Sequence, residues 1–167
     1  MNNNIKYEHE LYEPMSNWLK AYLSDKYNKQ KCKISVIDSH SVYLDSVLDA
    51  YDVISNYPQT VGLQISIDIL GIVKWVDKSK IFFIEAKKTA LTLNHLGQLW
   101  AYCKLCNPEE AYLLSSVGLG SLNKILKNLK REDLLDFGDG KIIKKMKIAK
   151  WDILRSDIDN HSLIPKI

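Results

Sequence analysis

The stretch from residue 81 to 87 constrains the fold of this chain more than any other. It reads Ile-Phe-Phe-Ile-Glu-Ala-Lys, an apolar run typical of a buried strand that ends in an acid and a base. Alternate side chains of a strand share a face, so Glu85 and Lys87 are expected to project together. The opposite layer is expected to receive Phe82, Ile84 and Ala86. Such a buried acid and base are costly unless a metal, substrate or partner charge compensates them, so the pattern predicts a functional site.

Length and composition favour one domain of 167 residues. We expect a core over about residues 8–116 and a basic C-terminal extension over about residues 120–167. The start of the chain lacks an apolar signal region, and no apolar run reaches membrane-spanning length. Three cysteines are an odd number, which argues against a disulfide framework and for a reducing compartment. The expected protein is cytoplasmic and has no membrane partner.

Hydrophobic periodicity predicts alternating helices and strands. Helices are expected at 7–27, from Ser41 to about 55, at 94–106 and at 121–136; strands at 32–37, 63–75, 81–87 and 111–115. The tail beyond Lys141 is ambiguous between helix and strand. The second and third strands form a predicted hairpin, and Trp100 is expected on the inner face of its helix with Leu96, Leu99 and Cys103. This order predicts an α/β fold, a small mixed sheet with helices on both faces.

Asp68 adds a second carboxylate to the predicted hairpin. Alternation over 63–75 places Ile65, Ile67 and Ile69 on one side and Asp68 on the polar side. The hairpin can then bring Asp68 next to Glu85 and Lys87. Two carboxylates at such a point suit a hard cation such as Mg²⁺ or Mn²⁺, which can activate water for attack on a phosphodiester.

These residues resemble the PD-(D/E)XK nuclease superfamily, in its RecB-like and resolvase-like branch. The match is Asp68, then Glu85-Ala86-Lys87 seventeen residues later, closing an apolar strand. The resemblance implies a three-layer αβα sandwich with the restriction-endonuclease-like αβββαβ core. It also implies a catalytic set and a metal-ligand set: Asp68, Glu85, Lys87, Glu8 and Gln98 for catalysis; Asp68, Glu85, Glu8 and the Ala86 carbonyl for Mg²⁺, with Mn²⁺ able to replace it.

The chain departs from the family pattern in several places. Ile67 stands where the proline of the name would be, and the helix from Ser41 would be an insertion. Three cysteines do not supply the four that an iron–sulfur cluster needs, and Cys103 and Cys106 are better explained as buried thiols than as zinc ligands.

Several of these side chains could have a simpler, structural role. Glu85 and Lys87 alone could be a surface pair. Glu8 could be a first-turn acid favoured by the helix dipole, and Glu10 and Glu13 compete for its place. Gln98 and Tyr102 could be an i, i+4 pair on the helix surface.

Residues 124–150 carry nine Lys and Arg against four acids, within a chain whose net charge is only +3. Such a stripe can neutralise phosphates, although a solvated lysine face is the alternative. The predicted nucleic-acid contacts are Lys124, Lys127, Lys130, Arg131, Lys144, Lys145 and Lys147.

The predicted function is a metal-dependent nuclease that hydrolyses phosphodiester bonds, with DNA as the expected substrate. A homodimer follows from the resemblance alone, since small enzymes of this fold often pair to cut both strands. The alternatives are a nucleic-acid-binding protein of the same fold without cleavage activity, and a structural protein in which Glu85 and Lys87 form a buried salt bridge.

Overall fold

The computed structural model describes residues 4–166. The α-helices are α1 (Tyr12–Lys26), α2 (Leu44–Ala50), α3 (Leu93–Cys106) and α4 (Ser121–Asn123). The strands are β1 (Lys33–Asp38), β2 (Ile69–Lys74), β3 (Ser79–Lys87), β4 (Glu110–Ser115), β5 (Asp136–Gly138), β6 (Ile143–Lys145), β7 (Lys147–Asp152) and β8 (Asp157–Ile158). Short 3₁₀ segments cover Glu8–Leu11, Ile54–Asn56, Pro58–Thr60 and Glu132–Leu135, and a π-helical turn covers Lys124–Asn128.

Six strands form a mixed sheet in the order β1-β2-β3-β4-β7-β8. The first three strands pair antiparallel, β3 and β4 are parallel, β4 and β7 are parallel, and β8 returns antiparallel to β7. Strands β5 and β6 form a separate hairpin. The carboxyl ends of β3, β4 and β7 therefore meet at one edge of the sheet.

The sheet separates two apolar cores. The α1-side core contains Leu11, Met15, Leu19 and Leu23 of the first helical segments against Ile69, Val73, Phe82, Ile84, Ala86, Leu114 and Trp151. The α3-side core contains Leu44, Leu48, Leu96, Leu99 and Cys103 of α2 and α3 against Leu70, Ile72, Ile81, Phe83, Leu113 and Ile148. A Cβ at Gly71 would meet Leu19, Leu23 and Phe82 at 3.0–3.2 Å, so a glycine there allows α1 to pack closely on β2.

The prediction of an α/β fold is confirmed: the protein is a mixed α/β protein built on a mixed sheet. The alternation predicted for 81–87 is also confirmed, since Phe82, Ile84 and Ala86 lie in the α1-side core while Ile81 and Phe83 lie in the α3-side core. Strand β3 begins two residues earlier than predicted, at Ser79.

The prediction of a strand over 63–75 is wrong for its first half, because β2 begins only at Ile69. The carbonyls of Ile65, Ile67 and Asp68 accept hydrogen bonds from the segment around Ser39 and Leu44, between β1 and α2. These carbonyls are therefore not paired with a neighbouring strand. The side assignment fails with it: Ile65 and Ile67 pack in the α3-side core, and Ile69 packs in the α1-side core.

Two predicted helices are shorter than expected. Helix α2 follows Tyr43 rather than Ser41 and ends at Ala50, and Asp52 just beyond it adopts a positive φ of 58°. The predicted helix at 121–136 is divided into a short α segment, a π turn and a 3₁₀ turn, with Lys130 at a φ of 53° between the last two. A left-handed residue cannot continue a right-handed helix, which explains both breaks.

The prediction for the position of Trp100 is wrong. Its side chain is not on the inner face of α3 but 41% exposed, and its indole N–H donates to the carbonyl of Asp136. Cys103 and Cys106 are both buried and free on that inner face.

Residues after 120 contribute to the main sheet, because β7 pairs with β4 and Ile148 and Trp151 are buried. The ambiguous tail beyond Lys141 contains strands β6, β7 and β8. None of the helices within residues 4–166 is both long enough and apolar enough to cross a membrane.

Candidate active site

Asp68 and Glu85 meet at the carboxyl end of β3. Asp68 lies immediately before β2, and its Oδ2 accepts a 2.9 Å hydrogen bond from the backbone N–H of Ala86. Oε1 of Glu85 accepts a 3.4 Å hydrogen bond from the backbone N–H of Asp68. Each carboxylate is thus held by the backbone next to the other one, which fixes both at the open end of the hairpin, where β2 begins and β3 ends.

Burial disfavours the ionised forms of Asp68 and Glu85. Glu85 is only 4% exposed, and burial followed by the charge of Asp68 raises its pKa to about 8. Burial also raises the pKa of Asp68, although the Ala86 N–H and the charge of Lys87 oppose the shift. The pair therefore retains a proton near neutral pH, when each carboxyl group alone would have lost it.

Lys87 is the cation nearest to this pair. Its Nζ lies 3.8 Å from Oε2 of Glu85 and 3.9 Å from Oε1 of Glu8, and its side chain is 17% exposed. Both distances are longer than a hydrogen bond, so the ammonium is close to two acids without being committed to either. Oε2 of Glu8 accepts a 3.4 Å hydrogen bond from the backbone N–H of Lys88. Glu8 therefore lies next to both the Lys87 ammonium and the backbone of Lys88.

Two further residues of the site were missed in the sequence. The Tyr12 hydroxyl donates a 3.4 Å hydrogen bond to Oδ1 of Asp68. Burial, and then the negative charges of Asp68 and Glu8, raise the Tyr12 pKa, so its phenol keeps the proton it donates. Tyr12 follows Glu8 by four residues, the spacing at which helical side chains share a face, and this spacing could have identified it.

His95 is the second missed residue. Its Nδ1 accepts a hydrogen bond from the backbone N–H of Thr92 at the start of α3, so its other nitrogen carries the proton of the neutral ring. Burial and the nearby charge of Lys87 lower the His95 pKa. No local pattern places His95 near Lys87, since their proximity depends on how α3 packs.

The other predicted residues of the site lie elsewhere. Gln98 is exposed, and its amide donates to the hydroxyl of Tyr102 at 2.9 Å, which is the i, i+4 pair. The structure thus directs this amide to Tyr102 rather than to Lys87. Glu10 accepts a hydrogen bond from the backbone N–H of Tyr7, and Glu13 is exposed on α1. Of the three helical acids, only Glu8 reaches the lysine.

Most residues of the predicted nucleic-acid contact set are already paired. Lys127, Arg131, Lys145 and Lys147 form ion pairs with Glu132, Asp133, Asp136 and Glu110. Lys144 donates to the carbonyl of Pro108 at 2.8 Å, at the amino end of β4. For Lys124 and Lys130 no ion pair is found within residues 4–166. The segment is therefore not one continuous free stripe, and Lys144 and Lys147 lie away from the carboxyl end of β3.

The donor chemistry of Asp68 and Glu85 fits a hard divalent cation. Both are carboxylates, both are partly or fully buried, and their shared proton would be displaced by a cation. Within residues 4–166, however, no group of three or more His, Cys, Asp or Glu side chains is arranged to hold a metal ion. Two carboxylates are compatible with Mg²⁺, which usually keeps several waters and takes few protein ligands.

Comparisons with protein-family models, curated proteins and solved structures find no match for this chain. Membership of the PD-(D/E)XK superfamily therefore stays a prediction that depends on the residue pattern.

Proposed function

We propose that this protein is a metal-dependent nuclease of the PD-(D/E)XK type that hydrolyses phosphodiester bonds. The observation that carries the proposal is the convergence of Asp68, Glu85 and Lys87 at one strand end, with Asp68 close enough to raise the pKa of Glu85. Perturbed acids in contact with a lysine are common at catalytic sites. Two acids and a lysine are also the parts that phosphodiester hydrolysis needs, because that chemistry is mainly positioning and charge stabilisation.

The fold assignment behind this proposal is the restriction-endonuclease-like core. The element order α1, β1, β2, β3, α3, β4 supports it, with α2 as an insertion between β1 and β2. Packing of α1 against one face of the sheet and α2 and α3 against the other supports a three-layer arrangement. DNA as the substrate, a homodimer and a cytoplasmic location are proposed from the sequence and the resemblance.

Each residue of the site has a role that its contacts suggest. Asp68 and Glu85 would hold Mg²⁺ or Mn²⁺, which when bound would supply positive charge to the reacting phosphate and acidify water. The Ala86 N–H and the Tyr12 hydroxyl keep the Asp68 carboxylate in place. The Ala86 carbonyl and Glu8 remain proposed ligands, although the contacts of Glu8 favour a role in placing Lys87.

Lys87 has the most direct catalytic role in this proposal. Its ammonium lies 3.8 Å from Glu85 and 3.9 Å from Glu8, so it is not engaged in a short hydrogen bond with either acid. It can therefore orient the attacking water by donating a proton in a hydrogen bond, or balance negative charge on the phosphate as the transition state forms. The proposed role of Gln98 is limited to contact with the substrate from the surface of α3.

The test is a cleavage assay with supercoiled plasmid, linear duplex, single-stranded DNA and RNA, each with Mg²⁺, Mn²⁺ or EDTA. Glu85→Gln and Lys87→Met should each lower the cleavage rate by about 10²–10³-fold. Glu13→Gln and Lys20→Met, which change the same residue types at exposed positions of α1, should leave the rate unchanged.

Three results would reject the nuclease. Cleavage that survives EDTA, or that is equal in the site variants and the controls, would show that the activity does not come from this site. Binding of nucleic acid without cleavage under any condition would instead establish the alternative, a binding protein of this fold.

A further inference from the structure

The same edge of the sheet carries a second basic group. Lys87, Ser115 and Lys150 are register partners across β3, β4 and β7. Neighbouring strands lie about 4.8 Å apart, so the backbones of Lys87 and Lys150 are about 10 Å apart. Lys150 is exposed and follows Ile148 by two residues, so it projects on the α3 side of the sheet as Lys87 does.

Lys150 borders a cavity of about 430 Å³ that is separate from the carboxylate pair of Asp68 and Glu85. This cavity is also lined by Asn123, Lys127, His161 and Ser162, and by the loop from Gly118 to Gly120. None of the described residues that line it is acidic. Lys127 is held only by a 3.5 Å ion pair with Glu132, and both side chains are about 40% exposed, so this lysine can turn to another anion.

The loop after β4, which lines the cavity, is bonded to the segment that begins at Lys87. The backbone N–H of Ser116 donates to the carbonyl of Lys87 at 3.0 Å, and that of Leu91 donates to the carbonyl of Gly118 at 3.1 Å. The hydroxyl of Ser115 donates to the carbonyl of Thr89 and accepts from the N–H groups of Val117 and Gly118. These bonds join the loop that lines the cavity to the segment that begins at Lys87.

Gly120 shows how close the two loops are. It has a φ of 52°, and a Cβ built on it would lie 2.4 Å from the carbonyl oxygen of Leu91. Only glycine fits this approach, so the loop after β4 packs directly against the loop after β3.

We propose that Lys150, with Lys127 and His161, binds a backbone phosphate of the nucleic acid next to the phosphate at Lys87. This inference rests on the proposed function and specifies which residues grip the substrate. It places the phosphate contact in one cavity near the carboxyl ends of β4 and β7, rather than along the whole segment 124–150. The phosphate would accept hydrogen bonds from two ammonium groups and an imidazole, a combination suited to a phosphodiester monoanion.

The test measures binding separately from cleavage. Glu85→Gln serves as the parent protein, and its affinity for fluorescein-labelled single-stranded and duplex DNA, and for RNA, is measured by fluorescence anisotropy over a range of KCl concentrations. Lys150→Ala should raise Kd on the order of 5-fold near physiological salt and lower the slope of log Kd against log salt by about 0.9. Lys150→Arg should restore the binding.

Lys141→Ala is the matched control. It removes the same charge from the same segment, and Lys141 is exposed and lies outside the cavity. Equal losses in Lys141→Ala and Lys150→Ala would show a dependence on net charge only and would overturn the inference. Absence of any nucleic-acid binding would overturn it as well. Binding that depends on Lys150 in a protein that cleaves nothing would support this subsite while rejecting the nuclease, so the two proposals fail separately.

Discussion

A buried carboxylate, Glu85, and a partly buried one, Glu110, lie at opposite ends of the central strands, and their surroundings differ. Glu110, at the amino end of β4, accepts hydrogen bonds from Lys147 at 2.6 Å, Lys26 at 3.1 Å and Tyr22 at 3.0 Å. Glu85, at the carboxyl end of β3, has one 3.4 Å hydrogen bond from a backbone N–H and a lysine at 3.8 Å.

The pKa values of the two acids move in opposite directions. Burial by itself would raise the pKa of Glu110, but the hydrogen bond and charge of Lys147, together with Lys26, outweigh burial and lower it. Burial and the adjacent Asp68 raise the pKa of Glu85. The partly buried Glu110 therefore has cationic partners, whereas the buried Glu85 lies beside a second acid, which is locally unfavourable. Such unfavourable local arrangements are typical of functional sites.

The largest expected contrast is in stability. Glu110→Gln should lower the free energy of unfolding by about 2 kcal/mol, because Lys147 and Lys26 lose their charged hydrogen-bond partner while solvent screens the more exposed Lys26. Glu85→Gln should raise it by about 1 kcal/mol near pH 7, because Glu85 must take up a proton when the chain folds and glutamine is neutral in both states. Urea denaturation followed by circular dichroism measures both, with the exposed Glu13→Gln as the neutral control. Destabilisation of equal size in both variants would contradict the contrast.

The pH dependence of stability sharpens the same contrast. The pKa of Glu85 is about 8 in the folded state and near 4.5 in the unfolded chain, so the folded state binds more protons between these values. The contribution of Glu85 to stability is therefore present below about pH 4.5 and is lost as the pH rises towards 8. The lowered pKa of Glu110 has the reverse effect: its contribution is present at neutral pH and is lost as the pH falls through the folded-state value.

Thermal melts in EDTA from pH 4 to 8.5 test this dependence. The difference between wild type and Glu85→Gln should grow in favour of the variant as the pH rises, and the difference for Glu110→Gln should shrink at acidic pH. A wild-type curve parallel to that of Glu85→Gln over the whole range would show that Glu85 ionises normally.

The smallest expected effect concerns Tyr12. Its 3.4 Å hydrogen bond to Asp68 is long, so Tyr12→Phe should reduce the cleavage rate by about 2–10-fold, equivalent to the usual net value of one hydrogen bond. The unfolding midpoint should change little. Tyr22→Phe, which removes a phenol bonded to Glu110, is the matched variant at the other end and should lower stability without changing the cleavage rate. A Tyr12→Phe protein with wild-type activity would show that Tyr12 does not position Asp68.

Local patterns in the sequence predicted β3 and the shared face of Glu85 and Lys87, because strand alternation depends only on neighbouring residues. The place of Asp68 was predicted for the wrong reason. It does not lie on the polar face of a long strand but just before a shorter one, since the carbonyls of Ile65, Ile67 and Asp68 are bonded to Ser39 and Leu44. Contacts with a distant segment cannot be read from alternation.

Tertiary pairing also accounts for the distribution of the lysines. Lys147 is bonded to Glu110, thirty-seven residues earlier, and Lys144 to the carbonyl of Pro108. A count of lysines along the chain cannot distinguish such paired residues from Lys150. For Lys150, no ion pair is found among the residues that the structure describes. The places of Tyr12 and His95 near the site likewise depend on how α1 and α3 pack against the end of β3.

Calorimetric titration of the wild-type protein with Mn²⁺ at about pH 7, in two buffers of different ionisation enthalpy, tests the carboxylate pair most directly. We expect about one ion bound per chain and the release of about one proton, because the ion displaces the proton that Glu85 and Asp68 retain. Asp68→Asn and Glu85→Gln should abolish both signals. Absence of Mn²⁺ binding to the wild type, or binding of equal strength and without proton release in Glu85→Gln, would contradict a metal site at these residues.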